Sequence, residues 1–407
     1  MHVLLLTDVP PCTEYTAGLV QKQLCEFLFE ENISVSCISI SDSSLSFNVP
    51  DKIKSQLQYY ECFEKPLEGY GCRYLGEIQS FVFNGFHRQY TIPNLAKIIA
   101  RKISDFSKPI DLIWSVIQGQ TMIEIVPVIA CNLKRPYVTQ IWDPPEWWLN
   151  ANKFDKYSYR KVMKDYEFLL RGSDCCLVAS DNMAKEYNAK YGIRCVPVIP
   201  SLDDRKYTCT DTNENAFEIG FSGQIYAQKE FKIFVEALDA LNWEFDGKKI
   251  RLHVFTNYID DNITQARPGI IINKWMPQNK LLETLSGMDL CYCPYRFDDE
   301  FSIIARLSFP AKLTSYLSTG VPVFVHAPDY SSIANFIQDG ISGYVCTSNA
   351  NKDVINMIKR TIHDGNEVRR IIGERGKKLF LQRLTCEIMK KDFLKALGID
   401  KNENYTN

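Results

Sequence analysis

Ser308-Phe309-Pro310-Ala311-Lys312-Leu313-Thr314-Ser315-Tyr316-Leu317-Ser318-Thr319-Gly320-Val321-Pro322-Val323 reads as one short helix followed by one strand. Pro310 suits a helix start, because the N–H it lacks would be unpaired there anyway. Gly320 suits the helix end, and Pro322 keeps the helix from resuming before an apolar strand over Val321–Val325. The N–H groups of Ala311 and Lys312 then point out of the first turn. The positive helix end and the Lys312 charge together make an anion site.

Upstream, Phe221-Ser222-Gly223-Gln224-Ile225 ends a strand over Glu218–Ser222 and opens onto a helix around Phe231–Leu241, with Lys229 between. A Ser-Gly turn lets backbone N–H groups approach an anion, and the helix N-terminus and Lys229 add positive potential, so this is a second phosphate-site pattern in the same half of the chain. Further strands are expected at Ile250–Phe255, Ile270–Ile272, Leu290–Cys293 and Gly343–Val345. The first half repeats the scheme, with strands at Val3–Leu6, Val35–Ile40, Leu112–Val116, Tyr137–Trp142, Cys175–Ala179 and Cys195–Ile199. Helices are expected at Gly18–Glu30, Tyr157–Arg171 and Met183–Tyr191. Strands alternating with helices predict βαβ units and parallel sheets. Residues 42–90 show no regular pattern. The polar stretch Ser201–Asn215 interrupts the alternation and reads as a linker, with a hinge near residue 205. The expected fold is α/β, with a first domain over 1–203, a second over 216–375 and a terminal segment over 376–407. That segment either forms solvated helices or crosses back to the first domain.

Composition excludes several classes. The 407 residues carry a net charge of −2, which gives no electrostatic case for nucleic-acid binding. No apolar stretch approaches the roughly 20 residues that span a bilayer, and the start Met1-His2-Val3-Leu4-Leu5-Leu6 reads as a strand rather than a leader. The 14 cysteines contain no C-x-x-C pair and sit mostly in apolar runs, as reduced thiols in a core do. These features lead to a cytoplasmic expectation, with peripheral contact at the inner membrane face left open. No D-x-D and no zinc-ligand spacing occurs in the chain, so no metal and no resident cofactor is expected.

With these residues in view, the chain resembles glycosyltransferase family 4, whose fold is GT-B: two Rossmann-like β/α/β domains facing a central cleft. Gly223-Gln224-Ile225 with Lys229 is similar to the family's Gly-Arg-Leu-x-x-x-Lys segment. Ser308–Val323 is similar to its Pro-x-Lys-x-x-Glu-Tyr-Leu-x-x-Gly-x-Pro-Val segment. His326-Ala327-Pro328, Asp339-Gly340 and Val198-Ile199-Pro200-Ser201-Leu202-Asp203 extend the likeness, which is clearest after residue 195. The resemblance implies an acceptor-binding first domain and a donor-binding second domain. It also implies a nucleotide-sugar donor, a glycan or lipid-linked acceptor, retention of anomeric configuration and a setting in polysaccharide assembly. Ser222, Gly223, Gln224, Lys229, Ala311, Lys312, Phe309 and Ser315 then belong to the donor site. From their own place in the chain, Trp275 and Met276, after a strand, are candidates to wall the base pocket, and Asn257 ends another strand nearby. The chain departs from the family pattern at four positions. Gln224 replaces an arginine, Ser315 and Leu307 replace the two glutamates, and no histidine stands near Val116, where the family has its catalytic one.

Two carboxylates are candidates for catalysis. Asp143, in Trp142-Asp143-Pro144-Pro145-Glu146, follows a strand and so stands where α/β sheets bind ligands; it either meets the sugar or caps the turn before Trp147. Glu300, in Asp298-Asp299-Glu300, either replaces the missing sugar contact or belongs to a solvated loop. Gly18 either cradles the donor or shapes the acceptor site, and it lacks the G-x-G-x-x-G spacing of a dehydrogenase. His87-Arg88, Trp147 and Trp148 have either a cleft role or a structural one. The rival functions are a GT-B-shaped nucleotide-sugar binding or regulatory protein without turnover, and a nucleotide-sugar epimerase.

Overall fold

Apolar runs bounded by turn residues become the strands. The computed structural model describes residues 1–13, 16–40, 47–61, 72–205, 207, 215–256, 267–274 and 276–399. The linker reading over 201–215 therefore falls in part outside the described residues, and Asn257 and Trp275 lie wholly outside them.

The chain forms two compact units, Met1–Val198 with Lys390–Asn407, and Ile199–Met389. The division falls at Val198–Ile199. In the first unit the strands are β1 (His2–Thr7), β2 (Ser34–Ser39), β3 (Leu57–Glu61), β4 (Leu112–Val116), β5 (Tyr137–Ile141), β6 (Cys176–Val178) and β7 (Cys195–Pro197). They form one parallel sheet in the order β3-β2-β1-β4-β5-β6-β7. Pairs such as Leu5↔Cys37 and Leu5↔Trp114 bury continuous apolar runs, as a sheet covered on both faces requires. Strand β3 and the helix Cys72–Phe86 occupy the stretch whose pattern predicted nothing, and the helix Ile92–Ser104 follows it. Two features break the periodicity there: Gly76, at φ 79°, and a π-helical turn over His87–Thr91.

Residues 390–399 pack with the first unit. Phe393 is buried edge-on against Trp114, with ring centroids 5.0 Å apart. Lys390 pairs with Glu30 and Glu31, each at 2.9 Å.

In the second unit the strands are β8 (Ala216–Ser222), β9 (Glu244–Phe245), β10 (Lys248–Phe255), β11 (Ile270–Asn273), β12 (Leu290–Pro294), β13 (Val323–His326) and β14 (Tyr344–Cys346). The parallel order is β11-β10-β8-β12-β13-β14, with β9 antiparallel to β10. One core cluster gathers Phe217, Phe231, Phe234 and Tyr292; Phe234 stacks on Tyr292 at 3.8 Å. A second gathers Leu313, Tyr316, Leu317 and Phe380. The buried Arg369–Asp289 pair, at 3.3 Å, ties the helix Gly365–Arg383 to the loop before β12.

The helix Ala311–Thr319 ends at Gly320, whose φ of 81° is left-handed and suits glycine. Its carbonyl meets Gly373: a Cβ there would lie 2.0 Å from Gly320 O and 3.0 Å from Pro322 Cδ. Backbone cannot yield as a side chain can. Gly373→Ala is therefore expected to destabilise the protein by about 1–3 kcal/mol, the usual cost of overpacking, seen as a lower melting temperature.

Candidate functional site

In the second unit the end of β8 and the start of the helix Ala311–Thr319 meet. Gly223 has φ 86°, a conformation that favours glycine, and a Cβ on it would stand 4.0 Å from Lys312 Nζ. Lys312 Nζ donates to the Gln224 carbonyl at 3.2 Å and lies over the rings of Phe221 (4.4 Å) and Tyr226 (4.8 Å). Part of the Lys312 surface stays open, yet protein atoms crowd its ammonium. This burial lowers its pKa to about 8. It has no carboxylate partner among the described residues. The N–H groups of Ala311 and Lys312 make no hydrogen bond among the described residues, and Pro310 stands at the N-cap rather than inside the first turn. A positive helix end, an ammonium without a counter-charge and a glycine turn thus share one place.

The turn itself differs from the expectation. The Ser222 N–H donates to Tyr316 Oη at 2.8 Å, and the Gly223 N–H donates to the Phe255 carbonyl at 2.9 Å. Both N–H groups are used inside the fold, so the charge at this turn comes from Lys312 and the helix end. Tyr316 was missed in the sequence, although its spacing of four residues from Lys312 puts the two on one helix face.

Other donor-site candidates scatter. Lys229 stands exposed at the start of the helix Gln228–Ala240, without a hydrogen bond or ion pair among the described residues. Ser315 is half-buried, and its Oγ donates to the Ala311 carbonyl at 3.5 Å. Phe309 belongs to the core, edge-on to Phe336 at 5.1 Å. Met276 packs against the same cluster, and its sulfur accepts from Thr284 Oγ1 at 3.9 Å. Glu300 is exposed on the 3-10 turn Asp299–Phe301, where the neighbouring Asp298 pairs with Arg296 at 2.8 Å.

The first unit has its own pocket, at the carboxyl ends of β4 and β5. Gln118, Gly119, Trp142, Asp143, Trp147, Trp148 and Tyr166 are among its lining residues. Asp143 is exposed at its wall. Pro144, not Asp143, is the N-cap of the helix Pro145–Ala151, and the Trp147 N–H donates to the Pro144 carbonyl at 3.2 Å. Prolines at 144 and 145 fix this corner.

Beside the pocket's Gly119, a buried polar group begins. His87 Nε2 meets Thr121 Oγ1 at 3.2 Å, and burial, then the Arg88 charge, lowers the His87 pKa to about 4. Arg88 pairs with Glu124 at 3.0 Å. Burial pushes the Glu124 carboxyl up against the pull of Arg88. His87-Arg88 thus anchors the π-helical turn to the helix Gly119–Leu133. Gly18 is buried, and a Cβ on it would meet Cys12 Sγ at 2.3 Å and the Pro10 carbonyl at 2.8 Å, so it closes the loop after β1.

The described cysteines are free thiols, and no cluster of three or more His, Cys, Asp or Glu that could hold a metal occurs among the described residues. No described helix is long and apolar enough to cross a membrane.

This architecture is that of solved GT-B proteins. A glycosyltransferase from Rickettsia africae is similar at 13% identity and a TM-score of 0.66, covering 99% of each chain. Sucrose-phosphate synthase from Thermosynechococcus elongatus is similar at 12% and 0.68, covering 98% of each. Anabaena Alr3699/HepE in complex with UDP and glucose is similar at 12% and 0.64, covering 97% of this chain and 99% of that one. At such identities the likeness is one of fold, and the fold is GT-B. Residues 216–364, which hold both halves of the anion site, match the family model of glycosyl transferases group 1. No curated protein is significantly similar in sequence.

The Tyr316–Ser222 bond is buried at both ends. Tyr316→Phe leaves the Ser222 N–H without that acceptor, and a loss of about 1–3 kcal/mol is expected. A denaturant melt followed by tryptophan fluorescence measures it.

Proposed function

We propose that the protein transfers a sugar from a nucleotide-sugar donor to a glycan or lipid-linked acceptor, with retention of anomeric configuration and without a metal. One observation carries the reading. In a group 1 domain, the Lys312 ammonium, the glycine turn after β8 and the helix end at Ala311 come together, and no carboxylate neutralises Lys312 among the described residues. Such a place favours the charge of a diphosphate. The complexes of HepE with UDP, and of HepE with UDP-glucose, support a uridine nucleotide as the first probe.

In this reading the charge that develops on the departing diphosphate is met by Lys312, Lys229 and helix N-termini. The bond from the anomeric carbon to the phosphate oxygen breaks as the bond to the acceptor oxygen forms on the same face. The leaving phosphate oxygen takes the acceptor proton, so no separate general base is needed. The first-unit pocket holds the acceptor, and Asp143 at its wall accepts hydrogen bonds from sugar hydroxyls. The missing D-x-D supports metal independence.

A second reading, a nucleotide-sugar binding protein without turnover, is favoured by Ser315 and Leu307, which stand where the resembled family has two glutamates, and by the lack of a histidine near Val116. Calorimetry with UDP, run with and without EDTA, tests the site. Lys229→Ala is expected to weaken binding by about 1.5–3 kcal/mol, as for a hydrogen bond to a charged group. Affinity is also expected to fall as pH rises through about 8, where Lys312 loses its proton, and this slope should vanish in Lys312→Met. UDP affinity unchanged in both variants removes the assignment.

Turnover separates the two readings. Asp143→Asn keeps size and shape, so a roughly 100-fold fall in turnover, about 2.7 kcal/mol of transition-state stabilisation, is expected with an unchanged melting temperature. Normal turnover leaves Asp143 a corner of the pocket.

A further inference from the structure

The first unit carries an apolar stripe that its own core does not use. Along the helix Cys72–Phe86 and the π-helical turn after it, Ile78, Phe81, Val82, Phe86 and Tyr90 are all exposed, from 46% to 81%. Ile78 with Phe81 or Val82, and Val82 with Phe86, stand three or four residues apart and so share one side of the helix, and Tyr90 follows four residues on. The opposite face is the buried one. Ser80 donates to Asp155 Oδ2 at 2.9 Å, and Asn84 donates to Ser80 Oγ at 3.3 Å. Asp155 is also the N-cap of the helix Lys156–Arg171, accepting from the Tyr157 and Ser158 N–H groups. The two helices are thereby pinned side by side, and Phe81 meets Tyr157 edge-on at 5.2 Å.

The helix Lys156–Arg171 presents its own outer face beside that stripe. Lys156, Arg160 and Lys164 follow at four-residue spacing, all exposed, with Tyr157 and Phe168 exposed among them. Lys153 is exposed just upstream. None of these four cations has a hydrogen bond or ion pair from its side chain among the described residues. The acidic groups on this helix are already engaged: Asp165 pairs with Lys161 and with Arg88, and Glu167 with Arg171. Glu77 is the exposed acid on the apolar helix.

Solitary exposed apolar residues are ordinary, but a contiguous aromatic and aliphatic stripe is not. We propose that this face, Ile78–Tyr90 with Lys156, Arg160 and Lys164, docks the protein on an anionic lipid surface. The aromatic side chains enter the interface while the cations meet headgroup charges. The charges decide between occupants. Pairing with a second copy through the same face would bring two unneutralised basic rows together, whereas an anionic bilayer complements the basic row and the apolar stripe of one copy. The proposal goes beyond the transferase reading and does not depend on it.

Sedimentation of the full chain with vesicles tests it. Phosphatidylcholine vesicles are compared with equimolar phosphatidylcholine–phosphatidylglycerol vesicles, and stronger binding to the anionic set is expected. Lys156→Gln/Arg160→Gln/Lys164→Gln is expected to reduce that binding about 100-fold, since each cation near an anionic surface contributes roughly five-fold. Phe81→Ser/Phe86→Ser is expected to reduce it about 10-fold or more. All five side chains are exposed, so melting temperatures and any UDP-induced shift should match the parent, which separates a failure here from a failure of the donor site. Equal binding to both vesicle sets, or anionic binding untouched by either variant, overturns the proposal. So does a dimer in sedimentation velocity that Phe81→Ser/Phe86→Ser dissolves, because a second copy would then cover the stripe.

Discussion

The clamp between the helix Ala311–Thr319 and the end of β8 is the constraint on which the second unit's chemistry depends. Tyr316 Oη holds the Ser222 N–H, and Lys312 Nζ holds the Gln224 carbonyl. One buried bond and one half-open bond, a helical turn apart, set the helix N-terminus over the glycine turn. Gly320 and Gly373 allow this at the other end, where the helix Gly365–Arg383 approaches closer than any Cβ permits. Packing at the far end thus fixes direction at the near end, and the anion site inherits its geometry from both.

Charge in this unit falls into two kinds. Arg369 with Asp289, and Arg251 with Glu218, are pairs that satisfy themselves and belong to the scaffold, and His253 Nε2 meets the same Glu218 carboxylate at 2.8 Å. Lys312 and Lys229 have no carboxylate partner among the described residues. Burying an ammonium without a counter-charge costs stability, which its lowered pKa records. A fold that tolerates this cost at the mouth of a helix gains a place prepared for an anion. The first unit shows the reverse case. Its buried His87–Arg88–Glu124 group is internally paired, and the open chemistry lies instead in the aromatic pocket around Asp143.

Much of this was legible in the amino-acid order. Every apolar run that read as a strand became one, because burial on both faces of a parallel sheet needs an uninterrupted apolar sequence, and turn residues mark its ends. Pro310 and Gly320 marked one helix within a residue at each end. The stretch 42–90 was not legible. Gly76 breaks one helix, a π-helical turn follows it, and Ile78, Phe81, Val82 and Phe86 on that helix are exposed, so the core signal is weak there. Pro127 similarly disguises the helix Gly119–Leu133.

By itself, then, the sequence determined two βαβ series and the identity of the cations at two helix starts, because periodicity and capping are local properties of the chain. Only the tertiary structure decided which of those cations share a place. It set Lys312, not the N–H groups of Ser222 and Gly223, against the turn, because those N–H groups were claimed by Tyr316 and Phe255 from distant parts of the chain. It made Phe309 a core residue and Gly18 a loop closure, since contacts across the fold filled the space around them. Hydrogen-bond partners and free volume are set by residues far apart in sequence, and no local pattern encodes them.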